Sequence, residues 1–244
     1  FLNNAQSVNL NQDYIENFIR NKQLLEGFDN KISFTIRPLL SYYDSVNLSN
    51  NKFYFKVLPI DYQFDFNSHH PYNRNNGSLI PNKGYQYKLS LGFYSKIGPI
   101  SIQFKPEHLY AENLDYDGFW DGHYQVIWSK RYHSWNMIDT PERFGDKSYK
   151  KTLLGQSSVR INHKNLSLGF SSENLWWGPS KRNGIMMSNN ARGFNHITFN
   201  TLKPVNSFIG SFEWQLVTGR LEPSGYTPPR PDYEYASTPL YVPK

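Results

Sequence analysis

Residues 171–196 read SSENLWWGPSKRNGIMMSNNARGFNH and gather in one stretch the side chains from which carbohydrate sites are built. Trp176 and Trp177 offer large flat faces that can stack on a sugar ring. Asn174, Asn189 and Asn190 carry paired donors and acceptors that match sugar hydroxyls. Arg182 and Arg192 can hold a uronic acid carboxylate or a phosphate through two parallel hydrogen bonds. Glu173, and Glu213 in the strand pair that follows, complete the set. The same residues admit a second reading, a folded-in loop bracing an interior, with Glu173 and Glu213 satisfied by Arg182, Arg192 or Arg220. A third reading makes Glu173 and Glu213 the acid and base of a glycoside hydrolase. That chemistry needs two carboxylates about 5 to 9 Å apart, a distance that spacing along a strand does not fix.

Other chemistry is poorly represented. Glu112, Asp115, Asp117 and Asp121 are oxygen ligands without the order of a calcium loop, so they read as a solvated acidic loop. His69 and His70 are adjacent, which points them in different directions and argues against a zinc pair. The GQSSV segment lacks the second glycine of a nucleophile elbow, and no phosphate-cradling glycine loop occurs. With no cysteine there is neither a disulfide framework nor a thiolate metal site. The expectation is a protein without catalytic residues, cofactor or metal. The net charge of +6 comes without a basic helix or an aromatic RNA-binding motif, so nucleic acid is not the expected partner. An acidic polysaccharide or a lipopolysaccharide phosphate meets the same charge.

Most of the 244 residues must be strands that position this segment. In YQYKLSLGFYSK, Tyr85, Tyr87, Leu89, Leu91 and Phe93 alternate with Gln86, Lys88, Ser90 and Gly92, giving one apolar and one polar face. Ile97, Gly98 and Pro99 turn the chain into ISIQFKPEHLYAEN. A second pair, SSVRIN and LSLGFSSENL, turns at His163, Lys164 and Asn165. A third, HITFNTL and GSFEWQLVTGRL, turns between Lys203 and Ile209. Two earlier strands lie in KISFTIRPLLSYY and NKFYFKVLPIDYQFDF. Tight turns alternating with long polar loops are the rhythm of an antiparallel transmembrane β-barrel in an outer membrane. The 17% aromatic content suits interfacial girdles despite a mean hydropathy of -0.66.

Residues 12–26 carry a helical pattern, with Ile15, Phe18, Ile19 and Leu25 on one face, Asn11 able to cap and Gly27 able to terminate. This predicts an N-terminal amphipathic helical segment over residues 1–30, followed by a barrel over 31–244. Tyr124 to Trp135 alternates well enough to predict a strand continuing above the membrane. About eight to ten strands can be counted, and the proline-rich end, EPSGYTPPRPDYEYASTPLYVPK, holds no closing strand. An incomplete barrel is the expectation.

The pattern Glu-Asn-x-Trp-Trp-Gly-Pro, then Ser-Asn-Asn-Ala, then a Phe-Glu strand closely resembles the Wzi family of capsule assembly proteins. The similarity extends to GYQYKLSLGFYSKIGPISIQFKPEHLYAEN, IDTPERFG and LLGQSSVRIN, and so spans roughly Pro81 to Lys244. Ser180 departs from it, standing where many relatives place glycine. The resemblance implies an outer-membrane barrel of about eighteen strands. It also implies that the chain works as a lectin-like element in attaching capsular or other surface polysaccharide. The partners so implied are that glycan, outer-membrane lipid or lipopolysaccharide, and other outer-membrane proteins. A channel or structural subunit of a larger complex is the alternative.

Overall fold

The computed structural model describes residues 36–37, 53–120, 122–177, 186–202 and 204–226. The predicted N-terminal helix, Arg182 and Ser180 lie outside them. Its centre is a nine-stranded sheet in which every pairing is antiparallel. β2 (Phe53–Asn67) pairs along nearly its whole length with β3 (Gly84–Ile97). β3 then pairs with β4 (Ile100–Phe104) at one end and β5 (Glu107–Ala111) at the other. β6 (Tyr149–Leu153) lies beside β5, and β7 (Ser158–His163) beside β4. β8 (Leu166–Ser171), β10 (His196–Thr201) and β13 (Gln215–Gly219) complete the meander. β9 (Trp176–Trp177) pairs outside this sheet with β1 (Ile36–Arg37). Among the described residues β2, β6 and β13 each pair on one side only, so the predicted antiparallel all-β class holds and the sheet is open.

Two neighbouring runs break at the same level. Pro106, between β4 and β5, has no N–H to give a ladder. Opposite it, Gly155 sits at φ +59, where a Cβ would lie 2.6 Å from the Lys105 carbonyl oxygen. That carbonyl accepts from the Gln156 N–H at 3.0 Å, and the Lys105 N–H donates to Ser157 Oγ at 2.9 Å. The break thus keeps its hydrogen bonds while freeing side chains at positions 105–107 and 155–157 to turn onto the polar face.

Burial is inverted relative to a water-soluble sheet. On β3 the polar Gln86, Lys88 and Ser90 are covered, whereas Leu91 is 56% exposed. On β10, His196, Thr198 and Asn200 are buried while Ile197 and Phe199 face out. Seven outward positions of β2, from Phe53 to Phe66, are Phe, Val, Ile or Tyr. An outward apolar surface running across so many strands far exceeds what a soluble monomer leaves open. Its aromatic residues are sorted by level. Towards the long loops Tyr62, Tyr85, Tyr87 and Tyr110 stack at 5.4 to 6.0 Å, with the Lys150 ammonium 5.4 Å over the Tyr110 ring. Towards the short turns Phe55, Phe93 and Phe104 stack at 5.5 and 5.9 Å.

The short turns fall where expected for two pairs, with Gly98 and Lys164 at positive φ. The third connection is longer than a turn: β11 (Val205–Ser207) and β12 (Gly210–Phe212) form a hairpin of their own, tipped by Phe208 and Ile209. The segment from Tyr124 to Trp135 is not a strand. It belongs to helix α1 (Gln125–Ile138). Its residues show alternation and no clear helical stripe, and what holds the helix is that Trp128 and Arg131, one turn apart, both reach Phe119. The Trp128 ring meets it edge-on at 4.9 Å and the Arg131 guanidinium lies 4.4 Å over it. Asp139, in the left-handed region, ends the helix, and its carboxylate accepts from the Ser224 N–H and hydroxyl at 2.6 Å each.

Candidate functional site

The predicted site residues divide between two levels of the polar face. The deeper level is organised by a glycine. Arg160, Gly169 and Thr198 are register partners across β7, β8 and β10. A Cβ on Gly169 would stand 2.5 Å from Arg160 Cγ, so the missing side chain is the passage through which Arg160 crosses β8. One arm of its guanidinium donates to Thr198 Oγ1 at 2.7 Å and Asn200 Oδ1 at 3.2 Å, the other to Glu173 Oε2 at 2.8 Å. Glu173, 1% exposed, also accepts from Ser171 Oγ at 2.8 Å and Gln103 Nε2 at 3.2 Å. Its charge is therefore fully engaged within the fold.

Asn174 and Asn189 extend this network upward. The Asn174 amide donates to Asn189 Oδ1 and to the Ala191 carbonyl, both at 2.7 Å, and accepts from Gln156 Nε2 at 3.0 Å. Asn189 donates to the Asn75 carbonyl at 3.2 Å, and its own carbonyl accepts from the Gly77 N–H at 2.8 Å. Ser78 Oγ donates to Glu107 Oε2 at 2.5 Å. These bonds draw the 68–83 and 172–195 loops onto the polar face of the sheet. Trp176 is 3% exposed, so its indole does not lie open as a stacking platform, and the half-buried Trp177 is tied down by its indole N–H, which donates to Gln215 Oε1 at 2.7 Å.

Asn190 and Arg192 stand higher and exposed, on the wall of a cavity of about 1350 Å³ at the long-loop end. Tyr72, Tyr149, Phe144 and Phe194 give this wall aromatic surface; Lys151, Arg192 and Arg220 give it charge. α1 contributes Arg131, which ion-pairs with Glu142. Tyr116, in the loop beneath, donates to the same carboxylate at 2.8 Å, and burial with this bond raises its phenol above the ordinary range. Glu213 stands apart. Register places Glu173 beyond one end of β10 and Glu213 beyond the other. At about 3.4 Å per residue their backbones are about 17 Å or more apart.

A family model described as Capsule assembly protein Wzi matches residues 67–238, from the end of β2 through the whole of the cavity wall. The chain belongs to the Wzi family. No curated protein and no solved structure matches it. The Wzi match contains both levels of the site and reaches further towards the N-terminus than the motifs quoted above. Within this Wzi-family segment, sequence reasoning missed Arg160, Gln103, Gln156, Lys151 and the loop residue Ser78. Arg160 carried one signal, since SSVRIN places an arginine on the polar side of a strand. Two acids of the acidic stretch are engaged: Glu112 accepts from the Tyr85 N–H at 2.8 Å and Asp115 pairs with Arg143 at 3.0 Å, while Asp121 lies outside the described residues. Among the described residues no cluster of His, Asp and Glu is placed to hold a metal ion.

Proposed function

We propose that this chain is part of an outer-membrane barrel that binds capsular or related surface polysaccharide without chemical turnover, as a lectin-like element of capsule attachment. The observation that carries the reading is the cavity at the long-loop end, whose wall combines aromatic faces, amides and cations in the proportions a polysaccharide requires. Membership of a capsule assembly family agrees with it. So does an apolar outer face with a polar inner one, the arrangement lipid imposes on a spanning sheet.

Within this reading the candidate residues take different parts. Asn190 and Arg192 face the cavity and contact glycan; Glu173, Asn174 and Asn189 hold the loops that shape it. Trp176, Trp177 and Glu213 support the frame, and Arg182 lies outside the described residues. The separation of Glu173 from Glu213 along β10 speaks against a pair of glycosidase carboxylates. A second reading, a structural subunit of a larger outer-membrane complex, is favoured by the extent to which the polar cluster is satisfied internally.

The deciding experiment is deletion of the gene in an encapsulated host, followed by measurement of cell-bound and released capsule. Loss of retention with normal synthesis is expected. Capsule unchanged at the surface would sink the functional reading and leave the structural one.

A further inference from the structure

Three cations line the cavity without a counter-charge in contact. Among the described residues the side chains of Lys151, Arg192 and Arg220 make neither an ion pair nor a hydrogen bond, and the Arg192 charge acts on both Tyr149 and Lys151. The acids of the same wall are mostly committed elsewhere. Glu107 accepts from Ser78 and from Gln156 Nε2, Asp139 holds Ser224, and Glu142 holds Arg131 and Tyr116. Glu222 alone acts on Lys151 by charge. Gathering like charges on one wall costs repulsion, and an anion that enters removes it.

We infer that the cavity is an anion subsite, that Lys151, Arg192 and Arg220 take the carboxylate or other acidic substituents of a polysaccharide, and that neutral glycans are poor ligands. This rests on the glycan-binding reading above and narrows it to a chemical class. The source of the anion follows from register at Lys151. Lys151 is opposite Leu109, which is 2% exposed on the inner face, while its neighbour Lys150 is opposite Tyr110 in the outward tyrosine stack. A lipid phosphate would reach Lys150; Lys151 faces away from lipid, into the cavity that Arg192 and Arg220 also line. Arg192 and Arg220 present planar forks suited to carboxylates, and Lys151 adds a point charge.

The test uses the full-length protein in detergent or nanodiscs, with polygalacturonate and neutral dextran of equal length as probes, at rising salt. Polygalacturonate is expected to bind, to weaken as salt screens the charges, and to lose about tenfold or more in affinity in the Lys151→Gln, Arg192→Gln, Arg220→Gln variant. Lys150→Gln, on the outer face, is the matched control and should bind as the parent does. Equal binding of dextran, or a triple variant that binds polygalacturonate unchanged, overturns the anion assignment while leaving glycan binding in place. Binding of neither probe overturns both. Retention of the heat-modifiable folded band on a gel shows that each variant is intact.

Discussion

Arg160 and Glu173 show what a residue can do once the fold places it. Arg160 is largely covered and Glu173 almost completely so, with their charges 2.8 Å apart. Removing one partner of such a pair strands the other, at a cost of about 3 to 5 kcal/mol. Arg160→Met should therefore lower the temperature at which the folded band is lost, and Arg160→Met with Glu173→Gln should recover most of the loss. Gly169→Val should mimic Arg160→Met without touching a charge, because the new side chain closes the crossing over β8. A heat-modifiability series over these variants checks all three outcomes. The sequence made Glu173, Asn174 and Asn189 legible as a polar group but not their partners. Arg160 belongs to another strand, and only register across β7, β8 and β10 brings it under Glu173. The choice between a binding loop and a bracing loop thus turned on side chains far away in the chain.

Among the elements, strands were legible and α1 was not. Alternation along β2, β3, β8 and β10 has one interpretation because two different environments repeat every second residue. The α1 segment carries no clear helical stripe, and packing on Phe119 is what places it as a helix. Tyr116 connects this helix to the loop below through Glu142. Its phenol is raised in the folded state from an unfolded reference of 10.0, so folding favours the protonated form. The stabilisation is complete below about pH 10 and falls as pH rises above it, where the unfolded loop ionises first. Protease cleavage between residues 113 and 148 should accelerate above about pH 10 in the parent and depend less on pH in Tyr116→Phe. Cleavage that rises equally in both would remove Tyr116 from this role. A second mutation tests the helix itself: Trp128→Ala empties a buried site of indole size, costing about 3 to 5 kcal/mol locally, and should expose the same segment at neutral pH.

At the scale of the molecule, the order of faces governs behaviour. Among the described residues the polar side of the sheet is covered by the 68–83 loop and by residues 172–177 and 186–195, bonded to it through Ser78, Asn174 and Asn189. Planar-bilayer recordings of the full-length protein should accordingly show no steady conductance. Sustained single-channel steps would replace the binding reading by a pore. The outward surface has a consequence of another kind. Tyrosine hydroxyls seek water and phenylalanine rings avoid it, so in the proposed barrel the tyrosine stack marks a headgroup level and the phenylalanine stack lies within the apolar band. Phe93 follows Tyr87 by six residues on β3, about 20 Å of strand. Lys150 and Lys151 are chain neighbours on opposite faces, so the cavity wall at Lys151 is level with the tyrosine stack. A polymer lying along the cell surface would meet the cavity from the side, at the height where it emerges from the headgroups.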